Sequence, residues 1–491
     1  MKKSLFLIAA ICSAISFPYH IAAAETVGLT LTDSIEMALL TDESIEGAEA
    51  GREAALHAWK AARRSKGPTV SWNAQALRIG GRDYRSARRA HSLYGNPHQE
   101  QVVTGDVGGL GIPVYSTQTV GSYAYDNTFS NSWSLSVPIY TGGQLENQIK
   151  SGRYQLNKAD LTVENTRQTV RYQAAEAYAN LLHYENLAQV AKDAVDMGNT
   201  QLDLIRAQFE EGAVAEADML TMSVSIANYK QNLVNAEKAV EVAKSTLASI
   251  VGLPQDTDVE PLDHFSYEPY GKELPECEAY ALEHRPDGIA ADYDIKAAQA
   301  LKEAAKAGWR PRVTGVGSQN IASNAPFASE RSNNWQAGLS VSWNIFDNGV
   351  TSENVRQAAS VVDQYEAGAR KTRKNIQLET RTAYLNMKAA EQNIRETAVA
   401  VQQAEDSYTI AQVRYEEGVD ILISVTDAQE KLTQARSNYM TALYQYNLSR
   451  AALEKAMGVP VGFDASLYTG AEQEGASADE ALAAAWLGEE E

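Results

Sequence analysis

Two groups of carboxylates follow short aromatic-x-x-Gly motifs at equivalent places in the chain. The motifs and their neighbours are Phe209-Glu210-Glu211-Gly212 with Asp218, and Tyr415-Glu416-Glu417-Gly418 with Asp420 and Asp427. Carboxylates gathered at one level of a rotationally symmetric assembly would form an anionic ring that attracts cations. Helix capping and compensation of the helix dipole are the alternative explanation, and they account for Asp218 equally well.

The sequence does not indicate an active site, and it predicts neither a cofactor nor a metal. The seven His are scattered without metal-ligand spacing, and the glycine-rich stretch 105–111 is followed by no helical pattern that could complete a phosphate cradle. The 491 residues include 63 Asp or Glu against 43 Lys or Arg, which gives a formal net charge of −20. This surplus of negative charge repels phosphate and argues against nucleic acid as a partner.

Residues 1–24 are predicted to be a cleaved signal peptide. Lys2 and Lys3 precede an apolar stretch, and Ala22-Ala23-Ala24 offers a small-residue cleavage site. The mature chain is therefore expected to be exported. Because Cys12 leaves with the leader, Cys277 is the one cysteine that remains, and an intramolecular disulfide is excluded.

The chain contains an internal duplication with a constant offset of 206 residues. Pro138-Ile139-Tyr140-Thr141-Gly142-Gly143 aligns with Asn344-Ile345-Phe346-Asp347-Asn348-Gly349, and both aromatic-x-x-Gly motifs obey the same offset. A repeat of this length is far longer than a solenoid unit and indicates two copies of one structural unit. Gly142, Gly143 and Gly349 are predicted to form the turns that lead from a strand into a helix.

Each copy begins with strands of period two and continues with very long helices. Trp133, Leu135, Val137 and Ile139 alternate with Ser and Pro, which is typical of a barrel strand with one face to lipid and one to water. A strand of a soluble sandwich is the alternative. After Gly143 and Gly349 apolar residues recur every seven positions, and a helix that reaches Gly212 would be on the order of 100 Å long.

These patterns divide the chain into nine segments. They are a signal peptide (1–24), a helix (25–68), two strands with a long outer loop (69–140), a long helical pair (141–254), a linker (255–285), a helix (286–311), two strands (312–346), a second long helical pair (347–460) and an acidic tail (461–491).

The order of these elements resembles that of the TolC family of outer-membrane efflux proteins. The resemblance covers essentially the whole mature chain and depends on the opening segment 29–38, the strand-to-helix turns, both aromatic-x-x-Gly breaks and the duplication. It implies an α+β membrane protein with four transmembrane β-strands per chain. Three chains would share one 12-stranded barrel, with a long α-helical coiled-coil tunnel through the periplasm.

The resemblance also assigns roles to residues of the two helix breaks. Asp218 and Tyr415 match a contact network at the periplasmic tip, and Asp427 matches one carboxylate ring of the constriction. Two departures place the family's Arg-centred latch and its second ring in question, because Asp420 stands where some members have Arg and Ser424 where they have Asp. Glu211 and Glu417 are expected to belong to the same tip, and Phe209, Gly212 and Gly418 to the break where an adaptor docks.

The expected function is that of a passive homotrimeric conduit in the outer membrane of a diderm bacterium, not of an enzyme. It would export small molecules or proteins in a tripartite efflux or type I secretion system. Its expected partners are outer-membrane lipid, a periplasmic adaptor and an inner-membrane pump of the RND, ABC or MFS type. The alternatives are a periplasmic coiled-coil scaffold without a pore, and an exported enzyme whose site lies in the loop 79–131, where Arg82, Arg85, Arg88, Arg89, His91 and His98 are found.

Overall fold

The structure of the chain is a computed structural model, which describes residues 26–78, 98–106, 113–120, 127–323 and 332–469. The predicted signal peptide, the arginines of the loop 79–131 with His91, and the tail beyond residue 469 lie outside these ranges. Within them, no helix is apolar over a length that would let it cross a bilayer.

Each copy places two strands of the larger sheet between shorter helices and a pair of long helices, in the order that the duplication predicts. The helices are α1 (Leu31–Thr41), α2 (Glu43–Arg64), α3 (Gln144–Glu210), α4 (Glu216–Ile250), α5 (Leu274–His284), α6 (Pro286–Ala305), α7 (Val350–Glu416) and α8 (Leu422–Met457). Both α3 and α7 have 67 residues, so each rises about 100 Å. The equal lengths confirm that the two copies form the same unit.

The strands are β1 (Val27–Leu29), β2 (Thr69–Arg78), β3 (His98–Asp106), β4 (Pro113–Val120), β5 (Asn127–Tyr140), β6 (Val259–Pro261), β7 (Arg312–Ser323) and β8 (Ser332–Ser342). Two short 3-10 helices, Lys306–Trp309 and Ala465–Tyr468, complete the described elements. By its contacts the chain separates into two compact units. The first is Met1–Leu56, Tyr154–Lys296 and Asp363–Glu491, and the second is His57–Arg153 and Ala297–Val362.

The second unit contains a four-stranded antiparallel sheet with the strand order β2-β5-β7-β8. Trp72 pairs with Trp133 across β2 and β5, and Leu339 pairs with Gly315 across β7 and β8, so one face carries most of the apolar residues of the four strands. The Trp72 and Trp133 rings lie 6.2 Å apart on this face. Ser, Asn and Gln predominate on the opposite face, which also carries Leu77 and Val316, so the sheet is amphipathic.

Two features of the sheet region differ from the sequence expectation. β7 alternates poorly because Gly315 and Gly317 occupy its apolar face, yet it pairs on both sides, with β5 and β8. The predicted loop 79–131 contains a second, two-stranded antiparallel sheet made of β3 and β4. These two strands were not predicted because their sequence is polar and rich in glycine, and period-two patterning is visible only where one face is consistently apolar.

The first unit is held together by apolar clusters along the helical pairs. One cluster joins Tyr178 and Leu181 of α3 to Leu247 of α4, and the Tyr178 hydroxyl donates to the backbone oxygen of Leu29, 3.1 Å away. The equivalent cluster in the second copy includes Met387 of α7 and Tyr446 of α8. A fully buried side chain of this size contributes about 2 kcal/mol, so these clusters stabilise the pairing of each long helix with the shorter one that follows.

The segment between the copies also contributes to this core, although the sequence suggests a linker. Its helix α5 places Cys277 in the second-copy cluster, where the side chain is fully buried. β6 pairs in parallel with β1, with Val27 opposite Val259. Pro and acidic residues around these elements resemble linker composition, so sequence reasoning missed β6, whose stability comes from its pairing with β1.

Candidate functional site at the two helix breaks

Both long helices end in the same C-terminal turn. Gly212 and Gly418 adopt φ angles of +76° and +70°, and in each turn the glycine N–H bonds three residues back and the next N–H bonds five residues back. This is a Schellman motif, in which a left-handed residue satisfies the last carbonyls of a helix. A Cβ at either glycine would meet open space within 4 Å, so the conformation alone requires glycine there.

The first break brings carboxylates to the start of α4. Glu216 and Asp218 lie in the first turn of that helix, where negative charge compensates the helix dipole. Asp218 is half-buried, whereas Glu211 in the turn itself is exposed and Phe209 is 40% exposed. The break therefore leaves the Phe209 ring partly exposed and the Glu211 carboxylate exposed.

Tyr415 lies beneath the second break and contacts helices of both copies. It belongs to a buried cluster with Met222 of α4 and Leu422 of α8. Its hydroxyl is buried and has no hydrogen-bond partner among the described residues. Burial, with a smaller contribution from the charge of Asp218, raises the pKa of Tyr415. The charge of Asp218 therefore acts on the Tyr415 hydroxyl, but the two side chains form no hydrogen bond.

The Asp420 carboxylate is bonded to neighbours within its own turn. Its Oδ1 accepts hydrogen bonds from the Ser424 hydroxyl at 2.8 Å and from the Ile421 N–H at 2.9 Å. Oδ2 lies 3.6 Å from the Arg414 Nε. The Ser424 hydroxyl first, then the Ile421 N–H and the Arg414 charge, lower the pKa of Asp420. The two departures from the family pattern therefore form one local structure, which closes the first turn of α8.

Asp427 is exposed on α8 and forms an ion pair one turn further along. Lys431 Nζ lies 2.6 Å from the Asp427 Oδ2 in the i,i+4 arrangement. Polar residues continue this exposed stripe, because Gln434 donates to Asn438 at 2.8 Å. Any carboxylate ring made by Asp427 would be accompanied by an adjacent ring of ammonium groups.

Sequence reasoning missed the basic residues of this region. Lys431 could have been found from its i,i+4 spacing to Asp427. Arg436 could not, because its partners come from other helices: Nη2 lies 2.8 Å from Glu405 of α7, and Nη1 lies 3.9 Å from Asp193 of α3. This residue ties the long helices of the two copies to each other through α8.

The strand-to-helix turns of the second unit have the predicted left-handed glycines. Gly142, Gly143 and Gly349 have φ angles of +68°, +91° and +85°. Arg310 Nη1 donates to the Gly142 oxygen at 3.0 Å, which connects this turn to the segment that precedes β7. These turns position helices after strands and bring no group of reactive side chains together.

An amphipathic four-stranded sheet and long helices that end at carboxylate-bearing turns are the features expected from the resemblance to outer-membrane efflux channels. The chain belongs to the family described as outer membrane efflux protein, whose model matches residues 34–253 and 279–459. The predicted resemblance to the TolC family is thereby confirmed, as are the fold class, the efflux function and the outer-membrane location with extension into the periplasm.

Individual relatives and a solved structure agree with this assignment. The chain is 22% identical over 350 residues to the cobalt-zinc-cadmium resistance protein CzcC of Cupriavidus metallidurans, covering 71% of this chain and 81% of that protein. It is 23% identical over 323 residues to the outer membrane protein TolC of Escherichia coli, covering 61% and 63% of the two chains. A crystal structure of CusC superposes with a TM-score of 0.70 at 17% identity, over 90% of this chain and 95% of that one.

Proposed function

We propose that three copies of this chain form a passive export conduit. The observation that carries the proposal is the open four-stranded sheet, in which β2 and β8 are edge strands and one face is predominantly apolar. Four strands cannot close a membrane barrel, whose practical minimum is about eight, so copies of the chain must share one. Three copies would contribute twelve strands, and the polar face would line the passage.

The conduit would catalyse no reaction, and its driving force would come from its partners. We infer a periplasmic adaptor and an inner-membrane pump of the RND, ABC or MFS type as those partners. The exposed ring of Phe209 and the open space around Gly212 and Gly418 suit the helix breaks to adaptor docking. Asp218, Tyr415 and Asp427 would form the periplasmic gate, with Glu211 and Glu417 at its rim and Asp420 holding the start of α8.

Cross-linking between edge strands tests the shared barrel. Ser71→Cys on β2 combined with Ser340→Cys on β8 places one thiol at each sheet edge, and a short bismaleimide should give dimer and trimer bands and nothing larger. The single variants are the controls and should give no trimer. Monomer bands alone from protein extracted from outer membranes would contradict the trimer and favour a scaffold without a pore.

Single-channel conductance in a planar bilayer tests the gate. The tip carboxylates should give the closed protein a small, cation-preferring conductance. The combination Asp218→Asn with Asp427→Asn should weaken that preference. An anion preference in the wild type that persists in this variant would remove the proposed role of the tip.

A further inference from the structure

Positive charge is concentrated where the chain enters the sheet, although the protein as a whole is strongly acidic. Residues 57–78 contain five Lys or Arg and no Asp or Glu, and residues 297–323 contain four Lys or Arg and one Glu. These segments are the ends of α2 and α6 together with the strands that follow them, β2 and β7. The pattern therefore recurs in both copies of the duplication.

The register of the sheet places these segments at the same end of its strands. Arg312 pairs with Ser342 and Val313 with Tyr140, so the start of β7 lies beside the ends of β5 and β8, and β2 starts at the same end. Arg312 belongs to the polar face of the sheet. The remaining basic side chains, Lys60, Arg63, Arg64, Lys66, Lys302, Lys306 and Arg310, are here named the basic collar.

Exposed aromatic side chains accompany the basic collar. Trp309 and Trp343 are 50% and 56% exposed, Phe346 is 85% exposed, and the Trp343 Nε1 donates to the Trp309 oxygen at 3.0 Å. Aromatic residues such as Trp, beside Lys and Arg, are typical of the interface between a bilayer and water. The combination marks this end of the strands as the level of the lipid headgroups.

Contacts within the chain leave much of the collar charge available. Lys66 pairs with Glu146 at 3.1 Å and Lys306 with Glu303 at 2.5 Å, both as exposed pairs that contribute little. Lys60, Arg64 and Lys302 form no ion pair with any described residue. Compensation of the helix dipole explains Arg63 and Arg64 in the last turn of α2, but Lys66 and Arg310 lie beyond the ends of the α-helices.

We propose that the basic collar binds the phosphate headgroups of anionic phospholipid in the leaflet on the periplasmic side. A bilayer leaflet with anionic lipid repels a chain of net charge −20, and Lys and Arg close to the surface reverse that repulsion locally. The exposed aromatic rings fix the depth, and the collar selects the headgroup. The proposal concerns which lipid surrounds the protein, and it stands independently of gate and cargo.

Lipid retention by the full mature protein tests the proposal. The protein is reconstituted in vesicles of phosphatidylcholine with one fifth phosphatidylglycerol, extracted in a mild neutral detergent, and its retained lipids are measured by mass spectrometry. The wild type should retain phosphatidylglycerol above the bulk ratio. The combination Lys60→Gln, Arg63→Gln, Arg64→Gln and Lys306→Gln should reduce the enrichment about tenfold or more, and 0.5 M salt should have the same effect on the wild type.

A matched variant separates the collar from total charge. Lys230→Gln, Lys238→Gln, Lys371→Gln and Lys374→Gln removes four exposed lysines from the long helices and should leave the enrichment unchanged. Retention at the bulk ratio by the wild type, or equal enrichment in the wild type and the collar variant, overturns the proposal. Melting temperatures of all three proteins in pure phosphatidylcholine show whether the collar variant folds, so that a loss of retention can be assigned to the headgroup.

Discussion

The Arg414 Nε lies 3.6 Å from the Asp420 Oδ2 across the turn that joins α7 to α8. The same carboxylate accepts hydrogen bonds from Ser424 and from the Ile421 N–H. The basic partner at this break therefore comes from the end of α7, whereas some family members place an Arg after the glycine. The arrangement stabilises the turn within one chain.

Asp420→Ala should loosen the first turn of α8. Without the carboxylate, the Ile421 N–H and the Ser424 hydroxyl lose their acceptor, and hydrogen exchange of peptides covering residues 418–428 should accelerate several-fold. Asp420→Asn keeps an acceptor oxygen, so its exchange rate should lie between those of the wild type and Asp420→Ala. Exchange by peptide mass spectrometry measures the effect, and Asp363→Ala, at an exposed position on α7, is the control.

The Asp420 contribution has a defined pH dependence. Because the folded-state pKa is lowered, this stabilisation is present above the ordinary Asp value of about 3.9 and is lost as pH falls through the lower folded value. The difference in hydrogen-exchange rate between wild type and Asp420→Ala should thus be largest at neutral pH and shrink below about pH 4. A difference that disappears between pH 8 and pH 6 would contradict this assignment.

Lys431→Gln should make the channel more cation-selective. The ammonium of Lys431 lies 2.6 Å from Asp427, and its removal leaves the carboxylate uncompensated. Exposed i,i+4 pairs are worth roughly 0.5 kcal/mol, so the permeability ratio of potassium to chloride should rise about twofold. Reversal potentials in a salt gradient measure it. Lys238→Gln on α4 is the control, and a shift towards anions in Lys431→Gln would refute the pairing.

The sequence predicts the main helices and strands, but it misses the β3–β4 sheet, the β1–β6 pair and most of the partners of the charged residues at the site. The 206-residue offset predicts two equivalent long helices that end at Gly212 and Gly418, and both glycines adopt the left-handed backbone that glycine tolerates best. The roles of Asp420 and Arg436 escape prediction, because an exposed charge is defined by partners that the fold supplies. Asp218 and Tyr415 were matched by resemblance, yet the Tyr415 hydroxyl is left without a hydrogen bond.

The segment 459–469, which follows α8 and is called the C-terminal arm, should be released from α3 by a single substitution on that helix. The buried Glu164 carboxylate accepts hydrogen bonds from three consecutive backbone N–H groups of the arm, at 2.8, 3.0 and 3.3 Å for Val461, Gly462 and Phe463. Glu164→Ala leaves three donors without an acceptor, and limited proteolysis should cut within residues 459–469 at a rate at least several-fold higher. The exposed Glu396→Ala should leave cleavage unchanged, and equal rates in both variants would count against this anchor.

Substitution of two glycines with the same left-handed backbone should separate backbone strain from steric overlap. Gly212 and Gly252 have nearly the same φ, +76° and +75°, but a Cβ at Gly252 would lie 2.7 Å from the Thr41 side chain, whereas one at Gly212 meets nothing within 4 Å. Gly212→Ala should therefore cost about 1 kcal/mol of local strain and leave the melting temperature nearly unchanged. Gly252→Ala adds the overlap with α1, which packs in the core of the first unit, and should lower the melting temperature clearly.

The double variant Gly252→Ala with Thr41→Ala removes the nearby methyl and hydroxyl groups of Thr41, so it should recover part of the lost melting temperature. If Gly212→Ala proves the more damaging, the break must be enclosed by another molecule in the assembled protein, and the open space around it belongs only to the single chain.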